Sequence, residues 1–281
     1  MKATADCIPC IENHVLLTAK QVSEDEWLRR KVLLETMDVL RTASYDHPPA
    51  EICHETIKAA CKMLGTTDPY RNLKKELNKL SLSAAAKLDQ TIRQQNDSLY
   101  AALRAACAAN ALDILSPPGT QPKDVLDSMK TCPLQIDAYD QFREDIQNAR
   151  KVLYVLDNAG EIAFDKLVIQ QLLDKDVTCI VRTSPILNDA TLEDAQEVSL
   201  TEICTVTDPG ADMLGLSPDL CSSTFKETFN SADIIIAKGT ASLETLENTT
   251  SKTVYFLLTV KCEVIAKHLG VKIGDMVFFK D

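Results

Sequence analysis

The 281-residue chain has few glycines, a single tryptophan and a shortage of positive charge: 30 Lys and Arg stand against 41 Asp and Glu, for a net charge of -11. No run approaches the roughly 18 apolar residues of a membrane span. The first six residues turn polar before a signal-peptide core could form. A strongly acidic chain is poorly suited to nucleic acid or an anionic membrane, because both attract clustered Lys and Arg. We therefore expect a cytoplasmic location, with no membrane and no nucleic-acid partner.

What the chain does contain is typical of a globular protein. It is 45% hydrophobic and 25% charged, and its length suits one large domain or two ordinary ones. Its ten cysteines do not indicate a secreted disulfide framework, and several fall in apolar runs as small hydrophobes. Cys7 and Cys10 form a CxxC pair, either as buried thiols at a helix start or as a metal or redox contact.

The distribution of glycine changes along the chain. Only Gly65 and Gly119 precede residue 148, where apolar residues recur at helical spacing, and six glycines follow it among short β-branched runs. This change predicts a helical N-terminal domain over 1–148 and an α/β domain over 149–281.

The helical half divides into several predicted helices. Ser23 and Glu26 resemble a capping box that opens a helix through residue 41, and further helices are predicted over 50–64 and from Asp68-Pro69 onward. The expected apolar side of the first of these contains Trp27, Val32, Leu34, Met37 and Leu40.

A long Ala-rich helix is predicted over 83–115, ended by the Pro-Pro-Gly of 117–119. Asn110 continues its apolar stripe, so its side chain is either a satisfied core amide or points into a cleft.

The second half contains six short and continuously apolar runs, which is typical of strands buried on both faces. They predict an α/β fold: a Rossmann-like, doubly wound, mostly parallel sheet in an α/β/α arrangement. The runs cover 152–156, 177–181, 203–206, 233–237, 254–258 and 277–279.

Polar residues follow the first of these strands. Asp157 and Asn158 come directly after the run, Gly160 permits a tight turn, and Glu161 precedes a helical stretch. Ligands bind beyond the carboxyl ends of such strands, and hard oxygen side chains there can hold a divalent cation. The alternative is that Asp157 or Asn158 simply caps the next helix. The missing second and third glycines disfavour a dinucleotide loop.

Two further clusters follow neighbouring runs. Arg182, Asn188 and Asp189 follow the second run, where Asp189 supplies a second carboxylate or caps a helix. Lys238 and Gly239 leave the fourth run at a helix start that carries two hydroxyls. A lysine beside free backbone N–H groups is suited to phosphate, although it could also be a solvated strand-end lysine. A cation site and an anion site together indicate a small phosphorylated substrate.

These motifs resemble those of the damage-control phosphatase family, formerly domain of unknown function eighty-nine, in its cysteine-pair subfamily. The resemblance spans nearly the whole chain. It is carried by the segments 7–10, 68–70 with Lys74, 110–113, 157–161 with 164–165, 185–191, 237–239 with 244–245, and 257–258 with 261–262.

The resemblance implies a metal-dependent hydrolase acting on small phosphate esters, such as sugar phosphates or damaged phosphometabolites. It implies Asp157, Asn158 and Asp189 as ligands of one divalent ion (Mn, Co, Ni or Mg) and Lys238 as the phosphate-contacting lysine. The chain departs from the family over 240–242, Thr-Ala-Ser, where further Gly and Asn are usual.

We expect Asp157 and Glu161 to serve in catalysis, the first as ligand and the second as a weaker candidate for proton transfer. Gly239, Asn110, Arg182 and Asn188 are expected to join Lys238 around the substrate. Two alternatives remain: an S-adenosylmethionine-dependent methyltransferase, which also uses a Rossmann-like sheet, and a non-catalytic metal- or metabolite-binding protein. The sequence does not define the oligomeric state.

Overall fold

The computed structural model describes residues 1–114 and 120–281. Within these ranges the chain folds into α-helices around one mixed sheet, with short 3-10 turns at Pro122–Asp124 and Pro218–Leu220. The helices are α1 (Cys7–Val22), α2 (Glu26–Thr42), α3 (Pro49–Leu64), α4 (Arg71–Ile92), α5 (Ser98–Ala109), α6 (Val125–Thr131), α7 (Tyr139–Asn148), α8 (Ile162–Gln170), α9 (Leu192–Glu197), α10 (Ser223–Ser231), α11 (Gly239–Leu246) and α12 (Glu263–Leu269).

The described residues contain a seven-stranded sheet. The strands are β1 (Leu134–Asp137), β2 (Lys151–Val155), β3 (Asp176–Ile180), β4 (Thr205–Thr207), β5 (Ile234–Lys238), β6 (Thr253–Thr259) and β7 (Met276–Lys280). Their spatial order is β1-β7-β6-β5-β2-β3-β4, and neighbouring strands are parallel except for β6 and β7, which pair antiparallel. The predicted α/β fold with a doubly wound, mostly parallel sheet is confirmed.

The order in which the chain adds strands to the sheet reverses between β2 and β5. From β2 it proceeds outward through β3 to β4, then returns to β5 on the other side of β2 and continues to β6. Such a topological switch point leaves a crevice at the carboxyl ends of the two central strands, where ligands bind in this class of fold.

The first predicted helix boundaries need correction. Asp25, and not Ser23, caps α2, since its carboxylate accepts the Trp27 N–H at 2.9 Å. Of the expected apolar side, only Val32 and Leu40 are buried. Trp27, Leu34 and Met37 are exposed, because α2 packs only one narrow stripe against α1 and α3.

The long helix predicted over 83–115 is two helices. α4 ends at Ile92, and the carboxylate of Asp97 accepts the Tyr100 N–H at 3.0 Å to start α5. The apolar pattern continues across the break because both helices bury a face in the same core. The Asp68-Pro69 pair lies in the turn before α4, which begins at Arg71. The predicted stop at 117–119 lies outside the described residues.

Strand β1 was not anticipated, because its four residues are mostly exposed or half-exposed and carry little apolar signal. It pairs in parallel with β7 and lies before residue 148. The part of the chain before that boundary is therefore not purely helical, and the division into domains at 148 stays a prediction.

Three buried clusters form the core. Two cover the opposite faces of the sheet, and the third joins α1, α2 and α3 to Ile186, Leu187 and Leu214 from loops beyond the sheet. The N-terminal helices thus lie over the carboxyl edge of the sheet. Among the helices of 1–114 and 120–281, none has both the length and the apolar character needed to cross a membrane.

Candidate active site

The turn after β2 places Asp157 and Asn158 at the switch point. Gly160 adopts φ of +78°, and its N–H donates to Oδ1 of Asn78 on α4 at 2.7 Å. A Cβ atom at Gly160 would lie 3.0 Å from that of Leu77, so a side chain here would crowd α4 as well as strain a backbone with positive φ. The Asn158 amide donates to Oδ2 of Asp157 at 2.9 Å and to Glu161 at 2.7 Å.

The loop after β3 brings Asp189 against this turn. Asn158 and Asp189 form an isolated antiparallel bridge, and the Asn188 amide donates to Oδ1 of Asn158 at 3.0 Å. Arg182 lies between the two carboxylates: its Nε is 2.6 Å from Asp189, and its terminal nitrogen is 3.5 Å from Oδ1 of Asp157. The loop therefore supplies a carboxylate and a buried cation to one place.

The helix-cap alternatives for these residues are not what the structure shows. Helix α8 begins after Glu161 without any side-chain capping bond. Helix α9 is capped by Thr191 and Asp194, which form a capping box. Asp157, Asn158 and Asp189 have no capping role at either helix.

Gly239 lies directly behind Asp157. Its φ is +77°, and a Cβ atom built on it would overlap with the Asp157 carboxylate. Only glycine permits β5 to turn into α11 beside this carboxylate.

Asn110 ends α5 beside the predicted ligands and is fully buried. Its amide nitrogen lies 3.0 Å from Oδ2 of Asp157 and 3.0 to 3.1 Å from the two oxygens of Glu161. Its amide oxygen accepts the Thr259 N–H at 3.1 Å. Asn110 therefore fixes the Asp157 carboxylate from the helical side, while its contact with substrate stays a prediction.

Lys238 is fully buried and has three partners. Its ammonium donates to the Ala106 carbonyl at 2.9 Å, to Asp165 at 2.8 Å and to Glu161. Burial alone would lower the pKa of Lys238, but the carboxylates of Asp165 and Glu161 outweigh it and raise this pKa. All three N–H groups of the Lys238 ammonium therefore have protein partners. The contact of Lys238 with phosphate stays a prediction.

The two candidate ligand carboxylates lie in an environment that disfavours two negative charges. Burial raises the pKa of Asp157 well above its usual value, and the neighbouring carboxylates of Asp189 and Glu161 act in the same direction. Burial also raises the pKa of Asp189, against the opposing effect of Arg182.

A cavity of about 360 Å³ opens onto these residues from the helical side. Of the predicted site residues, Asp157, Asn158, Asn188 and Asp189 line it. Glu161, Lys238, Gly239, Asn110 and Arg182 are not among the lining residues and lie behind them.

Lys261 lines the cavity and was not among the predicted site residues. It follows β6 and donates to Asp113 at 2.6 Å. Burial disfavours its charge, but the carboxylates of Asp113 and Asp157 outweigh burial and raise its pKa. Thr259 directly follows the run 254–258, so the rule that identified the other strand tips, a polar residue directly after a buried run, does not select Lys261. Its signal in the sequence was its place in the segment 261–262, which carries part of the family resemblance.

The CxxC pair lies closer to the candidate ligands than its position in the sequence suggests. Cys7 and Cys10 line the same cavity as Asp157, because α1 packs over the carboxyl edge of the sheet. Burial raises the pKa of Cys10 to about 11. This thiol is therefore protonated at neutral pH.

The donor set suits a hard divalent cation. Asp157, Asn158 and Asp189 offer oxygen atoms, and a bound cation would favour the charged form of the two carboxylates, which burial disfavours. Within the described ranges, no three His, Cys, Asp or Glu side chains are grouped as a metal site. The third member of the predicted set is an amide.

Comparison with known proteins decides the family. The model of the damage-control phosphatase ARMT1-like domain matches residues 3–277. The chain belongs to this family. Its relatives include an uncharacterised protein of Methanocaldococcus jannaschii, 33% identical over 100% of this chain and 96% of that protein.

Two other relatives of this protein are named damage-control phosphatases. The one from Pyrococcus horikoshii is 28% identical and covers 100% of this chain and 99% of its own length, and the one from Archaeoglobus fulgidus is 29% identical over 99% and 98%. A crystal structure of a DUF89 family protein from P. horikoshii has a TM-score of 0.86, with 29% identity over 99% of this chain and 98% of that one. These names support a phosphatase role.

Proposed function

We propose that this protein is a divalent-metal-dependent phosphatase that hydrolyses small phosphate monoesters. The observation that carries the proposal is the convergence of Asp157, Asn158 and Asp189 on one cavity at the switch point of the sheet. Family membership favours this hydrolytic function over the methyltransferase alternative.

Asp157, Asn158 and Asp189 would hold the metal ion. A divalent cation bound there supplies positive charge that binds a phosphoryl oxygen and increases the acidity of a water molecule. Lys261 lines the same cavity, and nearby carboxylates favour its protonated form. We therefore assign it to binding the other phosphoryl oxygens of the substrate.

The residues behind the cavity wall have positioning roles. Asn110 donates to Oδ2 of Asp157, and Arg182 donates to Asp189. Glu161 accepts hydrogen bonds from the amide of Asn110, from that of the proposed ligand Asn158, and from Lys238. We therefore assign Glu161 and Lys238 to holding this network in place, and not to proton transfer or phosphate binding.

The size of the cavity is consistent with a small substrate. About 360 Å³ lies at the lower end of the range for small-molecule sites. The leaving group would face Cys10, Ile11 and His14 on α1, together with the start of α3. A phosphorylated metabolite of sugar-phosphate size is the substrate class that we propose.

The test is hydrolysis of p-nitrophenyl phosphate and fructose 1-phosphate after EDTA treatment, with and without added Mn²⁺, Co²⁺, Ni²⁺ or Mg²⁺. We expect activity only with metal, and we expect Asp189→Asn to reduce it by at least about 100-fold. Asp174→Asn, which removes an exposed carboxylate beyond α8, should retain full activity.

Anomalous diffraction from Mn²⁺-soaked crystals locates the ion independently. A peak between Asp157, Asn158 and Asp189 without turnover of any ester would favour the non-catalytic binding protein. Absence of both the peak and turnover would overturn the proposal.

A further inference from the structure

Two thiols outside the cavity lie in contact at the edge of the sheet. The sulfur atoms of Cys179 and Cys204 are 3.5 Å apart. Cys179 lies in β3, and Cys204 lies in the bend immediately before β4. Thr178 pairs with Thr205 across these strands, so the two cysteines are diagonal neighbours on one face of the sheet.

The two thiols differ in exposure and in acidity. Cys179 is fully buried, and burial raises its pKa well above the usual value. Cys204 is half-buried, and its hydrogen bond with Cys179 lowers its pKa, aided by Lys166 and opposed by burial. Cys204 is therefore the thiol that a small oxidant reaches first, and the buried Cys179 is placed to react with the oxidised Cys204, which is the pattern of a reacting and a resolving cysteine.

We propose that Cys179 and Cys204 are an oxidation site at which a peroxide forms an intramolecular disulfide. The Cys204 thiolate attacks hydrogen peroxide, which breaks the O–O bond and yields a sulfenic acid and hydroxide. The Cys179 thiol then displaces water from the sulfenic acid and forms the S–S bond. Two thiols and one peroxide give one disulfide and two waters, and both sulfur atoms are oxidised as the peroxide is reduced.

The geometry requires only a small movement. The sulfur atoms must approach by about 1.5 Å to reach the bond length of a disulfide. Cys204 precedes the first paired residue of β4, and its N–H donates to the Leu200 carbonyl at 3.3 Å and not to β3. A shift of Cys204 therefore leaves the pairing of β3 with β4 intact.

The cross-link would close a covalent ring around a functionally important segment. Residues 180–203, between the two cysteines, include Arg182, Asn188 and Asp189. A disulfide at the base of this segment would limit its freedom in partly unfolded states. The inference does not depend on the proposed phosphatase activity, since the bond and its effect on stability are measured without substrate.

Mass spectrometry tests the inference on the wild-type protein. After treatment with a small excess of hydrogen peroxide and alkylation, digestion with trypsin and Asp-N protease gives peptides 176–182 and 194–207, which separate Cys204 from Cys221. We expect these two peptides joined, with a mass lower than their sum by two hydrogens. The oxidised protein should melt about 5 °C higher, and dithiothreitol should reverse this.

Variants provide the controls. Cys204→Ser should abolish the linked peptide and the thermal shift, whereas Cys132→Ser, which removes an exposed thiol elsewhere, should preserve both. Recovery of Cys204 from wild-type protein as a sulfinic acid, or joined to another cysteine, would overturn the inference. So would full recovery of both thiols after peroxide treatment.

Discussion

The Asp157 carboxylate lies so close to the Cα atom of Gly239 that there is no room for a side chain at position 239. A Cβ atom at Gly239 would overlap with the carboxyl group of Asp157. The positive φ of Gly239, +77°, lets β5 turn into α11 at this contact. The position of the candidate metal ligand thus depends on the absence of a side chain at the first residue of α11.

Gly239→Ala should therefore inactivate the enzyme. The added methyl group must displace the Asp157 carboxylate, and a misplacement of about 1 Å at a reacting centre costs on the order of 100-fold in rate. The measurement is kcat/KM for p-nitrophenyl phosphate with saturating Mn²⁺, together with the Mn²⁺ affinity.

Gly65→Ala is the matched control. Gly65 has a similar φ of +68°, but a Cβ atom there would meet nothing within 4 Å. Both variants carry the cost of an alanine with positive φ, about 1 kcal/mol. If the two variants lost stability equally and Gly239→Ala stayed fully active, the overlap would have no functional consequence.

Lys238→Met and Lys261→Met should have different effects. Removal of Lys238 leaves Glu161 and Asp165 buried without their cation, so we expect a loss of about 3–5 kcal/mol in the free energy of unfolding. Lys261→Met should instead raise KM for the phosphate ester at least about tenfold, or about 1.4 kcal/mol. Urea unfolding and steady-state kinetics separate these effects.

The opposite result is informative. A Lys238→Met protein as stable as the wild type, with raised KM and unchanged metal affinity, would restore Lys238 as the phosphate-contacting lysine. Lys261→Arg, which retains a positive charge, should recover part of the lost affinity.

Glu244 should make stability depend on pH. Burial raises its pKa from 4.5 to about 7, while the Ala50 backbone N–H acts in the opposite direction. A raised carboxyl pKa contributes stability that is fully present below pH 4.5 and is lost as pH rises through 7. Relative to Glu244→Gln, which does not titrate, the wild type should lose on the order of 3 kcal/mol between pH 4.5 and 8.

Urea unfolding at pH 5 and pH 8 measures this difference. Glu227→Gln, at an exposed position of α10, should show no such change relative to the wild type. An equal response of both variants to pH would show that Glu244 ionises in the folded protein as it does in the unfolded chain.

The double variant Cys7→Ser, Cys10→Ser should retain turnover within about tenfold, a change of roughly 1.4 kcal/mol in the barrier. Although both residues line the cavity, the pKa of Cys10 near 11 keeps that thiol protonated at neutral pH. Hydrolysis at a hard cation needs oxygen ligands and water. A loss of several orders of magnitude, with Mn²⁺ still bound at Asp157, would place the thiols in the chemistry.

Much of the sheet could be predicted because its strands are buried on both faces. Such strands appear in the sequence as continuous apolar runs, and five of the seven strands in the described chain, β2, β3, β5, β6 and β7, carry one. Strand β4 is half-exposed and only overlaps the predicted run 203–206. Strand β1 lies at the edge and is mostly solvated, so it has no such run. The break between α4 and α5 was not predicted, because both helices bury apolar residues in the same core and the helical spacing of these residues continues across the break.

The sequence by itself determined which residues end the strands, because a buried parallel strand must place its first polar residues at the ligand-binding edge. Only the tertiary structure decided what those residues contact. Lys238 and Lys261 both follow apolar runs, yet the first is surrounded by Ala106, Glu161 and Asp165, and the second lines the cavity. Their environments differ because α5 and α8 bring Ala106 and Asp165 to Lys238, whereas Lys261 lies two residues beyond the end of β6. Such long-range packing leaves no local pattern in the sequence.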